Sequence, residues 1–312
     1  MRRYQMFVIG VITLGMAAGA ESQLVFPDGS QQDIAAAEYT RIVVVNADGS
    51  ATENGTALLA AVSDVTTAAA DNPFLIQLEP GNYDLGASAL SMKEYVSVHG
   101  SGLGSTIVTS SGATTISLND NATLQFLTAQ NTGSNAVALR ASGVSVSVFR
   151  IAAVSLGSTG DNAAVSIESG AGVNITNSTI SADASNSGDN IGLLVTGTGS
   201  LANARSTSIT ASGGSTTNIG LEVGTAAIAQ LGFVQIATGG TATGVMVAGG
   251  GVASLFACAV VSTGSTALAN AGTVSAATTL FDGTRGGGGS TAYAHCIHGS
   301  FAPITDTFTS VP

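Results

Sequence analysis

Apolar positions in the middle of the chain return at a nearly constant interval. Val137 and Leu139, Val165 and Ile167, Leu193 and Val195, Leu221 and Val223, and Val245 and Val247 form pairs separated by steps of 28, 28, 28 and 24 residues. A second series, Ile151, Ile180, Ile209, Ile236 and Val260, advances by 29, 29, 27 and 24. Alternate residues of a strand share a face, so both members of each pair are predicted to point inward. Two apolar columns keeping nearly one period mark a solenoid, in which each repeat is a coil that buries its apolar face by stacking on its neighbours. Short continuous runs suit strands paired on both edges of a parallel sheet. The Leu spacing of leucine-rich repeats and the periods of pentapeptide or hexapeptide coils are absent. The predicted fold is an all-β solenoid, a right-handed parallel β-helix with about three strands per coil.

The polar positions are equally periodic. Asn135, Asn162, Asn190 and Asn218 each precede the first strand of a repeat. At one turn position their amides are expected to stack along the axis, about 4.8 Å per coil, as an Asn ladder. The first step is one residue short relative to its strand, which puts Asn135 slightly out of line. Before the repeats, Ile42–Val45 and Phe74–Leu78 read as strands. Between them, Thr56 to Ala70 reads as a helix with Leu58, Leu59, Val62, Val65 and Ala69 near helical spacing, Thr56 as N-cap and Asp71-Asn-Pro73 as its end. This helix, 56–70, is expected to cover the N-terminal end of the solenoid.

Residues 1–20 stand apart. Arg2 and Arg3, the apolar run Met6 to Met16 and the small-residue end Ala17–Ala20 follow the order of a secretory signal peptide. No later segment resembles a membrane span, so secretion, a periplasmic location or the cell surface is expected. The β-helix is expected over 21–283. Gly286–Gly289 then read as a flexible linker, and 284–312 as a tail without coil period. Without Arg2 and Arg3, six Lys and Arg face 19 Asp and Glu, a balance of −13. That excess excludes nucleic acid and anionic lipid as natural partners, since both need basic patches. Cys258 and Cys296 form one disulfide in an oxidising compartment, or remain two buried thiols.

The order Ile42–Val45, Asp48-Gly49, helix, Ile76-Gln-Leu-Glu-Pro-Gly-Asn-Tyr83, Val96-Ser-Val-His-Gly-Ser-Gly102 resembles the entry region of the pectin-lyase-like superfamily. Asn135-Ala-Val-Ala-Leu-Arg140 is similar to a pectinesterase motif that opens with Gln. The resemblance implies a right-handed β-helix over roughly 40–283 and a polysaccharide as partner. It implies an oxyanion donor where Asn135 stands, but Asn is one methylene shorter. The pectinesterase segments that carry the acid Asp, the nucleophilic Asp and the substrate-orienting Arg have no counterpart. Fold and chemistry therefore part company.

Other candidate chemistry is sparse. Asp161 and Asp189 precede ladder Asn residues in successive coils and are the carboxylates to test first. They could share a proton or bind Ca²⁺, although Gly-Asp-Asn is ordinary turn chemistry. No other cofactor and no metal site is expected. Glu168 and Glu222 are expected to point outward into solvent. Arg140, Arg150 and Arg205 are too scattered for a basic lyase cluster. His295-Cys-Ile-His298 lacks the four ligands of a closed zinc site. Phe149, Phe233 and Phe256 lie in apolar strands and read as core, which weakens sugar stacking. The sequence-level reading is a secreted, non-catalytic β-helix acting as a structural, adhesive or surface-binding module. The alternative is a divergent carbohydrate-active esterase or lyase on an acidic polysaccharide. A cleft gathering carboxylates, an Arg and an exposed aromatic would distinguish the two.

Overall fold

The computed structural model describes residues 23–25, 31–33, 39, 41–185 and 188–298. The expected signal segment lies outside them. Two units are distinguished, Met1–Thr40 and Arg41–Pro312. In the first, Gln23–Val25 pairs antiparallel with Gln31–Asp33. The second is a right-handed parallel β-helix.

Each coil repeats one itinerary. In the best-formed region it runs Ser145–Phe149, a one-residue corner, Ala152–Ser155, a loop, then Asn162–Glu168 and a turn into Gly172–Thr176. Equivalent strands of successive coils stack in parallel ladders. The ladder containing Ser145–Phe149 holds eleven strands, and the other two ladders join into a 17-stranded sheet. The column expected from periodicity exists: Leu139, Val165, Leu193, Leu221 and Val245 lie in direct register. So do Ile180, Ile209, Ile236 and Val260.

Two members of the expected columns belong elsewhere. Ala153, not Ile151, stands beside Ile180, because Ala152 pairs with Thr179. Ile151 falls one step after the corner, in the column of Ser178. Val137 pairs with Ala163 and packs on a small outer cluster with Ile191 and Ile219. The inward pair of that coil is Leu139 and Ala141, opposite Val165 and Ile167. A bulge-like break in alternation near Ala164 and Gly192 causes the shift, since those residues turn inward beside an already inward neighbour.

The helix spans Ala51–Asp64, not 56–70. Ser50 is its N-cap, and Glu53 completes a capping box: Glu53 N–H donates to Ser50 Oγ (3.3 Å) while Ser50 N–H donates to Glu53 Oε2 (2.8 Å). Those two bonds satisfy orphan donors earlier than a start at Thr56 would, and they carry Asn54-Gly55 inside the helix. Lys93 Nζ donates to the Ser63 and Val65 carbonyls (2.6 Å each), a cation against the negative helix end. Leu58 and Val62 are buried in the core shared with Tyr83. Gly55 permits that approach, because a Cβ there would lie 2.0 Å from the Asp84 carbonyl oxygen.

At the other end, coiling continues past 283. Leu280–Gly286, Ser290–Ala294 and Ile297–His298 all pair in parallel with the preceding coil, the first with its register shifting after Asp282. Gly287–Gly289 are a turn between strands rather than a linker; residues 299–312 lie outside the described ones. Cys258 and Cys296 are free thiols, both buried. Ala259 pairs with Leu280 and Leu280 with Ile297, so the cysteines stand two coils apart with Thr279 between them. That separation is about 10 Å, beyond the roughly 7 Å limit for Cα atoms of a disulfide.

Candidate functional site

The corner between the first and second strands of each coil is a single residue in the left-handed region. Phe126, Arg150, Asn177, Ser206, Phe233, Ala257, Thr278 and His295 all have φ between +50° and +56°. One left-handed residue turns the chain sharply and aims its own side chain out of the corner. The next residue turns inward. Where it carries a hydroxyl or thiol, that group donates back across the corner to the carbonyl two residues earlier: Ser178 to Thr176 (2.9 Å), Thr207 to Arg205 (2.9 Å), Cys258 to Phe256 (3.4 Å), Thr279 to Ala277 (3.0 Å). The cysteines are thus corner staples in the same column as Ser and Thr.

This geometry overturns the expectation that Phe233 and Phe256 are core. Phe233 occupies a corner and is 64% exposed; Phe256 ends the strand of the next coil and is 53% exposed. Their rings meet edge to face, with centroids 5.6 Å apart. Gly232, directly beside Phe256 in the ladder, leaves the room. Phe149 is half-buried, and forms the same edge-to-face pair with corner residue Phe126 at 5.7 Å. Arg150 lies 5.8 Å from the Phe149 ring centroid.

Beside the Phe233–Phe256 pair, the outer face of the ladder forms an open depression of about 460 Å³, lined by Asn203, Arg205, Gln230, Ser254 and Ser275 among others. A second depression of about 450 Å³ continues it on the same face, past Leu201 to Asn174, Ser147 and Ser145. Asn203 Nδ2 donates to Asn174 Oδ1 (3.2 Å), an amide step along the axis. From Ser145–Phe149 to Thr273–Ala277, the six strands of this face contain no Asp or Glu, in a chain with 19 of them. Neither Arg150 nor Arg205 pairs with a carboxylate; among the described residues the ion pair is Arg140 with Glu168.

The carboxylates gather on a different ladder. Asp161 Oδ1 accepts the Asp189 N–H (3.0 Å), and Asp189 Oδ1 accepts the Thr217 N–H (2.8 Å). Each therefore ties its loop to the next coil. Glu222 is not the solvated residue expected: it is half-buried between Leu194 and Met246 of the adjoining coils. Burial, then the charges of Asp189 and Asp161, raise its carboxyl above the usual glutamate range. Asn162, Asn190 and Asn218 stack in register, with one amide–amide contact, Asn162 Nδ2 to Asn190 Oδ1 (3.4 Å). Otherwise the amides bond loop carbonyls, as Asn190 does with Ala184 (2.8 Å) and Asn218 with Gly239 (2.8 Å). Asn135 stands out of that column; Asn162 Oδ1 accepts the neighbouring Ala136 N–H (2.8 Å). His295 is exposed at its corner while Cys296 turns into the core, so these two do not project together. Among the described residues one depression does combine carboxylate, Arg and aromatic, lined by Arg41, Asp64 and Phe74 with the guanidinium 5.6 Å from the ring centroid, but its aromatic is buried. The exposed Phe pairs lie with Arg150 and Arg205 on the first ladder, away from Asp161, Asp189 and Glu222.

No protein-family model matches the sequence, and no curated protein matches it. Solved structures do resemble it in fold. ORF18 of Geobacillus virus E2 has a TM-score of 0.50 at 11% identity over 82% of this chain and 60% of that one, so this chain spans under two thirds of its length. Pectin methylesterase PemA from Erwinia chrysanthemi has a TM-score of 0.48 at 10% identity, over 86% of this chain and 92% of that one. The PL6-family alginate lyase AlyGC has 0.43 at 8%, over 90% and 47%. At such identities the likeness concerns the fold alone, a parallel β-helix. No helix among the described residues is long and apolar enough to cross a membrane.

Proposed function

We propose that this protein is an exported β-helix that engages polysaccharide on the outer face of its first ladder. The observation that carries the reading is the exposed Phe233–Phe256 pair beside Arg205, Asn203 and Gln230. Ring faces pack against the C–H faces of sugars, burying apolar area at low conformational cost. The amides and Ser254 supply donors and acceptors for sugar hydroxyls, and Arg205 supplies a cation for a carboxylate. The apolar segment at 1–20 supports export. Two of the neighbours by fold are named for pectin and alginate chemistry, but the reading rests on the face itself.

Affinity electrophoresis or calorimetry with polygalacturonate, alginate and a neutral glucan tests it. Phe233→Ala with Phe256→Ala is expected to weaken binding about tenfold or more, with circular dichroism unchanged. Wild-type binding by the double variant, or no binding of any polymer by the native protein, would overturn the reading.

A second reading, catalysis on the same polymers, is favoured by Glu222. A half-buried carboxyl whose pKa is raised by burial, then by the charges of Asp189 and Asp161, is a candidate proton donor for acid catalysis. Product detection on the same polymers, with Glu222→Gln and Asp189→Asn, tests that reading, and adding Ca²⁺ tests a metal bridge at Asp161 and Asp189. Turnover surviving both substitutions would remove these residues from the chemistry.

A further inference from the structure

The register of the first ladder joins its two aromatic pairs into one track. Phe149 stands beside Thr176, Thr176 beside Arg205, Arg205 beside Gly232, and Gly232 beside Phe256. Arg205 is thus midway between the two rings, two coils from each. At about 4.8 Å per coil the backbones of Phe149 and Phe256 are about 19 Å apart, with that of Arg205 about 10 Å from either. The corner residues one place further on repeat the arrangement: Phe126 pairs with Phe149, and Phe233 with Phe256. Arg150 sits at the first platform, and both Arg residues are exposed. Among the described residues neither has a carboxylate partner, and the six strands between and around the platforms carry no acid.

We propose that the occupant is an extended chain of uronic acids lying parallel to the solenoid axis, with a sugar on each aromatic platform and a carboxylate on Arg205 between them. This rests on the polysaccharide reading above and adds direction, length and charge to it. A coil rise is comparable with one sugar of an extended chain, so bridging both platforms takes roughly five units at one per coil. The acid-free strands matter because the protein as a whole is acidic: no carboxylate side chain projects from the six strands, and Asp120 at their edge is engaged by the Ser145 N–H, at the strand end opposite Phe149. A neutral polymer would leave Arg205 and Arg150 desolvated without a partner, which costs affinity.

Calorimetry with oligogalacturonates from dimer to octamer, against neutral cello-oligosaccharides of the same lengths, tests the track. Affinity is expected to climb steeply up to about the pentamer and then level off, as the second platform is engaged at high effective concentration. Phe149→Ala should weaken the octamer about tenfold while leaving dimer affinity at the remaining Phe233–Phe256 platform unchanged. Arg205→Gln should erase the preference for acidic over neutral chains; its side chain is exposed, so the fold survives. Dimer and octamer binding alike, or an octamer indifferent to Phe149→Ala, would overturn the track. If Phe233→Ala still abolished binding in that case, the single-platform reading would stand. If no length of either series bound, that reading would fall as well.

Discussion

Glu222 is raised by burial first, then by Asp189 and Asp161. The folded protein therefore holds this proton more tightly than the unfolded chain does. As pH rises through the ordinary value of 4.5, the unfolded carboxyl ionises while the folded one stays neutral, and stability falls until the raised folded value is passed. Glu222→Gln cannot ionise. We expect it to melt at a higher temperature than the native protein near neutral pH, with the gain vanishing below about pH 4.5. A gain that is equal in acid would mean that packing, not ionisation, is responsible. The two thiols make a second residue-scale prediction. Both are buried, and burial raises Cys258 above the usual thiol range. Without reductant, an aromatic disulfide reagent should titrate neither thiol in the folded protein and both after denaturation. A native disulfide would leave none to titrate in either state.

At the scale of elements, the coil holds its shape through small residues where two strands meet inside. A Cβ on Gly220 would lie 2.2 Å from Ile236 Cγ2 and 2.7 Å from the Gly244 carbonyl oxygen. Gly192 faces Ile209 and Gly244 faces Val260 in the same way. Gly220→Ala is expected to cost about 1–3 kcal/mol by overpacking, read as a loss in chemical denaturation. On the outer face, a Cβ on Gly172 would meet Ser145 Oγ at 3.6 Å, ordinary contact, so Gly172→Ala should change stability by less than about 0.5 kcal/mol. Equal losses at both sites would deny the inner crowding. Asn-Ile-Gly-Leu occurs at both 190–193 and 218–221, but the crowding at its Gly cannot be read along the chain, because the opposing Ile is 17 residues away in one coil and 16 in the other and the meeting depends on the fold. The helix was legible in kind and misplaced in extent: a capping box at Ser50 and Glu53 outweighs the turn-forming habit of Asn54-Gly55.

At the scale of the molecule, coils are exchangeable rungs. Asn162 pairs with Asn190, so residues 162–189 are one complete winding, 190 − 162 = 28 residues. Deleting them should leave a folded, shorter β-helix in which Ser145–Phe149 stacks on Leu201–Arg205. Circular dichroism should remain β-rich, and the chain-length optimum of the ligand should fall by one sugar unit. A deletion variant that folds and keeps the original optimum would separate ligand length from coil number.

The stacking period, and with it the solenoid, was determined by the sequence alone. Each coil has to place its aliphatic residues above those of its neighbours, and that requirement acts between residues a fixed distance apart along the chain. Which outward residues share a face was decided only in three dimensions. A left-handed φ at Phe233 or Arg150 leaves no mark in composition when the residue is not Gly, yet it reverses the alternation that periodicity assumes. That reversal puts Phe233 outside and moves Ile151 from the column of Ile180 to that of Ser178, and it brings two Phe pairs and Arg205, scattered over more than a hundred residues, onto one edge.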